Sequence, residues 1–213
     1  LGTSSPYEIT HDLSSAEVAG MDWQQSNDVL YIATGSPKVR RLERYADDDW
    51  RWSTAVFENG PFRAPNKSDI KITATTGVGS NVTLNATGAV FDAGMVGGLF
   101  RFDEEDLEDV PGWHANMLCR KNDYVRFDGR VYKVTEVRVG DDFDRTSANP
   151  PVHEKGKWQD GNDGPVFEYV HGPYGIVEIL TVSSATQATA KVLKPLPLSL
   201  STAGTKIWFE GAW

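Results

Sequence analysis

A single cysteine, Cys119, in 213 residues excludes an intrachain disulfide and a cysteine-based zinc site within one chain, so stability must come from packing and backbone pairing. No segment holds the roughly 18 consecutive apolar residues of a membrane-spanning helix, and no basic-then-apolar signal pattern opens the chain, which predicts no membrane partner. Basic residues are the minority, 21 Lys and Arg against 30 Asp and Glu. The net charge of −9 argues against a broad basic face for phosphate backbones and leaves only the local cluster Arg40, Arg41 and Arg44. Also missing are a GxSxG elbow, a Walker loop, a dinucleotide fingerprint and an HExxH pair. The four histidines, His11, His114, His153 and His171, are scattered without metal-ligand spacing. These absences predict a protein that is not an enzyme and takes no cofactor or metal. The start at Leu1 and the close on Trp213 predict a fragment or a processed product of something longer.

Helical signals are almost as scarce. Ser14–Met21 carries one, with Ser14 as N-cap, Glu17 three residues later as in a capping box, and Gly20 near its end. The rest reads as strands between Gly, Pro, Asn and Asp turns, an all-β chain whose 39% apolar residues suffice for a core. Three short strands follow one another over 23–61. Asp28–Ala33 reads as a strand buried on both faces, Val39–Tyr45 as a partly exposed one, and Trp50–Phe57 as a half-buried one with Trp50, Trp52, Thr54 and Val56 on one face. Ile70–Thr75 and Asn81–Ala86 form a hairpin around 76–80, and Leu99–Phe102 begins a further strand. The run Asp103–Asp109, DEEDLED, reads as a solvated loop without EF-hand spacing for calcium. After Pro173 the same texture returns in Tyr174–Val182 and Thr186–Leu193, which are expected to pair with the earlier strands.

Between these halves lies a stretch of different character. The boundaries drawn are 1–61 for the N-terminal meander, 62–110 with 173–213 for a split β-barrel or sandwich, and 111–172 for an inserted β-rich module. Within the module, Asp123–Phe127 turns at Asp128-Gly129 into Val131–Val137, and Val166–Val170 closes it. Asp141–Gly164 reads as one long loop. Trp113, Tyr124, Tyr132, Trp158 and Tyr169 are the module's candidate site, either as the core a unit of this size needs or as a sugar-stacking platform. Asn66, Asn81 and Asn85 begin N-x-Ser/Thr triplets without a secretory context.

The segment QQSNDVLYIATGSPKVRRLERYADDDWRWSTAVFENGPF resembles the "QSADVLY, P, R-L-R, DW, FxxGPY" pattern of stabilisation or nozzle (tail tubular) proteins of short-tailed bacteriophages and prophages. VTLNATGAVFDAGMVGGLFRF is similar to that family's "VTLTAS, LF, GHVG, LIRI" stretch, YGIVEILTVSSATQATAKVLKPLP to its "GWVKITAVTSATSATATV, LP" stretch, and the C-terminus to its "WxxGAW". NDYVRFDGRVYKV, NPPVH and FEYVHGPYG are similar to small modules embedded in phage tail proteins, which themselves resemble chitin-binding modules. The resemblance implies a virion structural protein. It would have a propeller-like platform piece, a hexameric self-assembly, contacts with neighbouring tail proteins, and translocating DNA in passing. A carbohydrate-binding module for a host-surface glycan is the alternative from another class. A depolymerase with paired carboxylates in 103–109 and 141–144 is the third.

Overall fold

Alternating and β-branched runs separated by two-residue turns give strands that pair with their nearest neighbours in the chain. The computed structural model describes residues 7–35, 38–57, 59–75, 81–104, 107–138 and 140–211. A short helix α1 (Ser15–Gly20) opens them, capped by Ser14 and Glu17 in a reciprocal capping box. A four-stranded antiparallel meander follows, β1 (Asp22–Ser26), β2 (Val29–Ala33), β3 (Arg40–Ala46) and β4 (Asp49–Thr54), in spatial order β1-β2-β3-β4. The sequence predicted three of these. β1 escaped because Trp23 is its only large apolar residue, but the left-handed Asn27 (φ 51°) turns it tightly onto β2.

The largest sheet has six strands. In chain order they are β5 (Ile72–Ala74), β6 (Asn81–Ala86), β7 (Leu99–Asp103) and, after the insertion and its strands β8–β13, β14 (Tyr174–Ser184), β15 (Gln187–Lys194) and β16 (Trp208–Glu210). The spatial order is β16-β7-β14-β15-β6-β5, so β7 pairs with β14 and β6 with β15, the partners expected from either side of the insertion. The predicted turn at 76–80 lies outside the described residues. Three register shifts along the β14–β15 pair bend the sheet, which curls into a half-barrel. Helix α2 (Ser199–Thr202) closes one end and buries Leu200. The glycine-rich stretch 94–98 is a 3₁₀ turn, Ala93–Met95, followed by a tight bend at Gly97 (φ 88°).

Thr205 fastens the curl. Its backbone exchanges two hydrogen bonds with Ile72 of β5 (3.0 Å each), while its hydroxyl reaches the carbonyl of Asp103 at the end of β7 (3.2 Å). Three residues on, Trp208 pairs with Phe102 on the opposite margin of the sheet. Inside lies the larger core, with Phe91, Phe100, Phe102, Val177, Ile179 and Leu196 at its centre. Asn66 serves the same region rather than a glycan: its amide donates to the carbonyls of Ser68, Ile70 and Lys206.

The insertion folds as two small sheets. β9 (Tyr124–Phe127) and β10 (Arg130–Glu136) form the predicted hairpin, and Asp128 (φ 50°) and Gly129 (φ 71°) supply the paired left-handed residues its turn needs. β12 (Lys157–Gln159) and β13 (Val166–His171) extend it in the order β12-β13-β10-β9, while β8 (Leu118–Arg120) pairs with β11 (Phe143–Arg145). The stretch 141–164 is therefore not one loop, since it contributes β11 and β12. Asp160, 1% exposed, pins it by accepting hydrogen bonds from the amide (2.7 Å) and hydroxyl of Ser147.

Candidate functional site

Direct opposition across the ladders of the β1–β4 sheet fixes which side chains share a face. Trp23, Ile32, Arg40 and Thr54 form one row and Leu30, Leu42 and Trp52 the next. Gln24, Tyr31, Arg41 and Ser53 form a row on the reverse face. The first face thus holds the three apolar residues Leu30, Leu42 and Trp52 side by side. The chain ahead of α1 reaches this face, where Asp12 accepts from the Trp52 indole (2.9 Å) and pairs with Arg40, and the rings of His11 and Trp52 lie 5.9 Å apart. The Trp52 hydrogen bond, assisted by Arg40, holds the Asp12 carboxyl below its ordinary range.

Of the residues in these four strands only Ile32 is buried. The expectation that β2 is buried on both faces is corrected: Ile32 is buried, Val29 and Leu30 are half-buried, and Tyr31 on the reverse face is exposed. Val56 lies past the end of β4 and is exposed, not aligned with Trp50, Trp52 and Thr54. Trp23 is 57% exposed and Tyr45 59%, the latter beneath the Arg51 guanidinium at 4.0 Å. The arginine cluster is not a free cationic patch. Arg40 pairs with Asp12, Arg41 with Glu43, and Arg44 with Asp28 and Asp47.

Four of the five aromatic residues singled out in the insertion, Trp113, Tyr132, Trp158 and Tyr169, come together, but as a core, while Tyr124 lies opposite Lys133 outside it. Tyr132 is completely buried, and its hydroxyl donates to the carbonyl of His153 (3.0 Å). This corrects its reading as a sugar-stacking ring: the rings of His153 (5.0 Å) and Tyr169 (6.0 Å) pack on it within the module core. Tyr169 meets Tyr132 edge-on at 6.0 Å, Trp158 stacks on Phe167 at 6.4 Å, and Trp113 meets Phe127 edge-on at 5.7 Å. Trp113, Trp158 and Tyr169 are half-buried against this core, and Tyr124 is half-buried with the Lys133 ammonium 5.9 Å from its ring. The exposed rings among the described residues are others: Tyr7 ahead of α1, Trp23, Tyr31 and Tyr45 on the first sheet, and Phe143 on β11. Sequence reasoning placed the binding aromatics in the insertion. The signal for the first sheet was the concentration of Trp and Tyr in strands too short and too polar to build a core of their own.

Cys119 is buried in the module, and burial pushes its thiol up to about 11, so it remains an unreactive thiol near neutral pH. No group of three or more His, Cys, Asp or Glu suited to a metal ion occurs among the described residues. The histidines do not cluster. His153 sits between Tyr132 (5.0 Å) and Trp158 (6.3 Å), whereas His171 is wholly buried where the module rejoins the barrel. Burial holds both below the ordinary histidine value of 6.5.

The sign of that shift predicts acid sensitivity. Folding favours the neutral rings, so their contribution is full above about pH 6.5, the unfolded histidine value, and falls away as pH drops below it. Urea midpoints measured from pH 7.5 down to 5 are expected to decline, and to decline less in His171→Gln and His153→Gln. The carboxylates held low by their partners, such as Glu154 beside Arg130, lose their contribution only at more acidic pH and leave this window clear. A flat wild-type profile contradicts the prediction. No protein-family model and no curated protein matches this chain.

Proposed function

We propose that the chain is a non-enzymatic structural subunit of the tail of a short-tailed bacteriophage or prophage, assembling with copies of itself and with neighbouring tail proteins around a passage for DNA. The observation that carries this reading is the β1–β4 sheet, four strands bearing Trp, Tyr and Leu side chains with one buried residue among them. An antiparallel sheet needs a covered apolar face to be stable, and rings such as Trp23, Tyr31 and Tyr45 are the types that anchor protein interfaces. A four-stranded meander in sequential order is also the shape of one propeller blade, which is stable when other sheets stack on it. The resemblance of 23–61 to tail nozzle proteins falls on these strands. The net charge of −9 suits a channel along which DNA slides without adhering.

Sedimentation over a concentration series tests the assembly. Wild-type chain is expected to associate, and Trp23→Glu to weaken that association by at least about tenfold while leaving circular dichroism unchanged, because most of this side chain faces solvent. A wild-type chain that stays monomeric throughout, and is missing from purified tail particles, overturns the reading.

A further inference from the structure

The acidic run at 103–109 is not uniformly solvated. Asp103 ends β7 and forms a two-pronged pair with Arg101 (2.6 and 2.8 Å), while the next residue, Glu104, turns inward until its side chain is 5% exposed. Its Oε2 lies 3.9 Å from His171 Nε2, beyond hydrogen-bond length, and its Oε1 has no hydrogen-bond partner among the described residues. The imidazole cannot serve it. His171 Nδ1 donates to the carbonyl of Gly172 (2.8 Å), and Nε2 accepts from the Leu198 amide (3.3 Å), so the neutral ring has no proton left to give. Ser199, beside Leu198, also has a buried hydroxyl without a partner among the described residues.

Glu104, His171 and Ser199 line one cleft of about 290 Å³ where the module meets the barrel. Leu107, Val110 and Leu198 supply the apolar part of its remaining wall, and Asp109 and Thr202 also line it. Lys71 reaches the same cleft but forms no ion pair with Glu104 among the described residues. A buried carboxylate oxygen left without a donor has lost its hydration with nothing in exchange, so a donor entering this cleft finds an acceptor waiting. Two unpartnered oxygens lining one cleft beside apolar side chains suit a compact cation carrying several N–H donors and a short hydrocarbon stem.

We propose that this cleft binds an alkylammonium group, its nitrogen donating to Glu104 Oε1 and Ser199 Oγ and its methylenes lying along Leu107, Val110 and Leu198. A guanidinium fits less well, because its planar fork needs both carboxylate oxygens and Oε2 is turned toward the imidazole. A divalent metal is disfavoured, because no group of three or more His, Cys, Asp or Glu placed to hold one occurs among the described residues. The ammonium can come from a small free amine or from a lysine side chain of a protein partner.

The test adds n-butylammonium, and separately Nα-acetyl-lysine methylamide, to the full chain at pH 7 while the His171 ring and Leu198 amide are followed by NMR, with n-butanol as the uncharged isostere. Saturable shifts are expected from the amines, with n-butanol at least about tenfold weaker. Glu104→Gln, nearly isosteric, is expected to weaken amine binding by at least about tenfold, while Asp48→Asn, an exposed carboxylate in the β3–β4 turn outside the cleft, keeps it within about twofold. An otherwise unchanged spectrum shows that Glu104→Gln is folded. Binding of n-butylammonium alone assigns the site to small amines, and binding of both extends it to lysine side chains. Absence of a saturable shift from either amine, or an equal response to n-butanol, overturns the proposal and leaves a cleft occupied by water.

Discussion

Replacing Tyr132 with alanine is expected to lower the free energy of unfolding by about 3–5 kcal/mol, the range for removing a large buried ring. The size of the loss follows from what the ring touches. Tyr132 is fully enclosed, packs against Tyr169 and His153, and belongs to the core with Cys119, Val125, Val134 and Phe167. Tyr132→Phe keeps the ring and loses only the hydroxyl's bond to the carbonyl of His153, which predicts a cost of about 1 kcal/mol. Urea unfolding followed by tryptophan fluorescence measures both, since Trp113 and Trp158 report on this core. Equal losses for the two variants contradict the packing account. A sugar-stacking role predicts the reverse pattern, with stability intact and glycan retention lost.

Phe100→Ala is expected to cost a similar amount, about 3–5 kcal/mol, in the barrel. Phe100 is 1% exposed on β7 and lies 5.6 Å from the Phe91 ring, 6.3 Å from Phe102 and 5.9 Å from Trp208. Trp208 belongs to the marginal strand β16, so the cavity left by Phe100 also loosens the strand that ends the sheet. The expected signature is a lower denaturant midpoint with earlier exchange of the β16 amides than in wild type. Phe100→Leu fills most of the space and is expected to recover much of the loss. An alanine variant within about 1 kcal/mol of wild type contradicts this core assignment.

Strands with a long alternating run and a committed turn were legible in the sequence. The Asp128-Gly129 hairpin and the pairing of 174–193 with 81–103 follow from local chemistry and pattern alone. Three-residue strands such as β11 and β12 were not, because they span less than two alternation periods and exist through tertiary pairing with β8 and β13. Which aromatics face solvent was also hidden. Val131 and Tyr132 are adjacent on β10 and both buried, so alternation fails where both faces of a strand are covered. Glu104 was hidden by its company, since an acidic run gives no sign that one member turns inward at the end of a strand.

The amide of Glu104 donates to the carbonyl of Pro173 (3.2 Å), directly beyond the last rung, Asp103 with Tyr174, of the β7–β14 ladder. From the side of the barrel, the whole of 104–173 therefore occupies the place of a hairpin loop. Closing a loop costs entropy that grows only with the logarithm of its length, so a short turn or an enlarged module at this point leaves the strand register untouched. The junction acts as a socket, through which one barrel can carry different attachments over evolutionary time or by design.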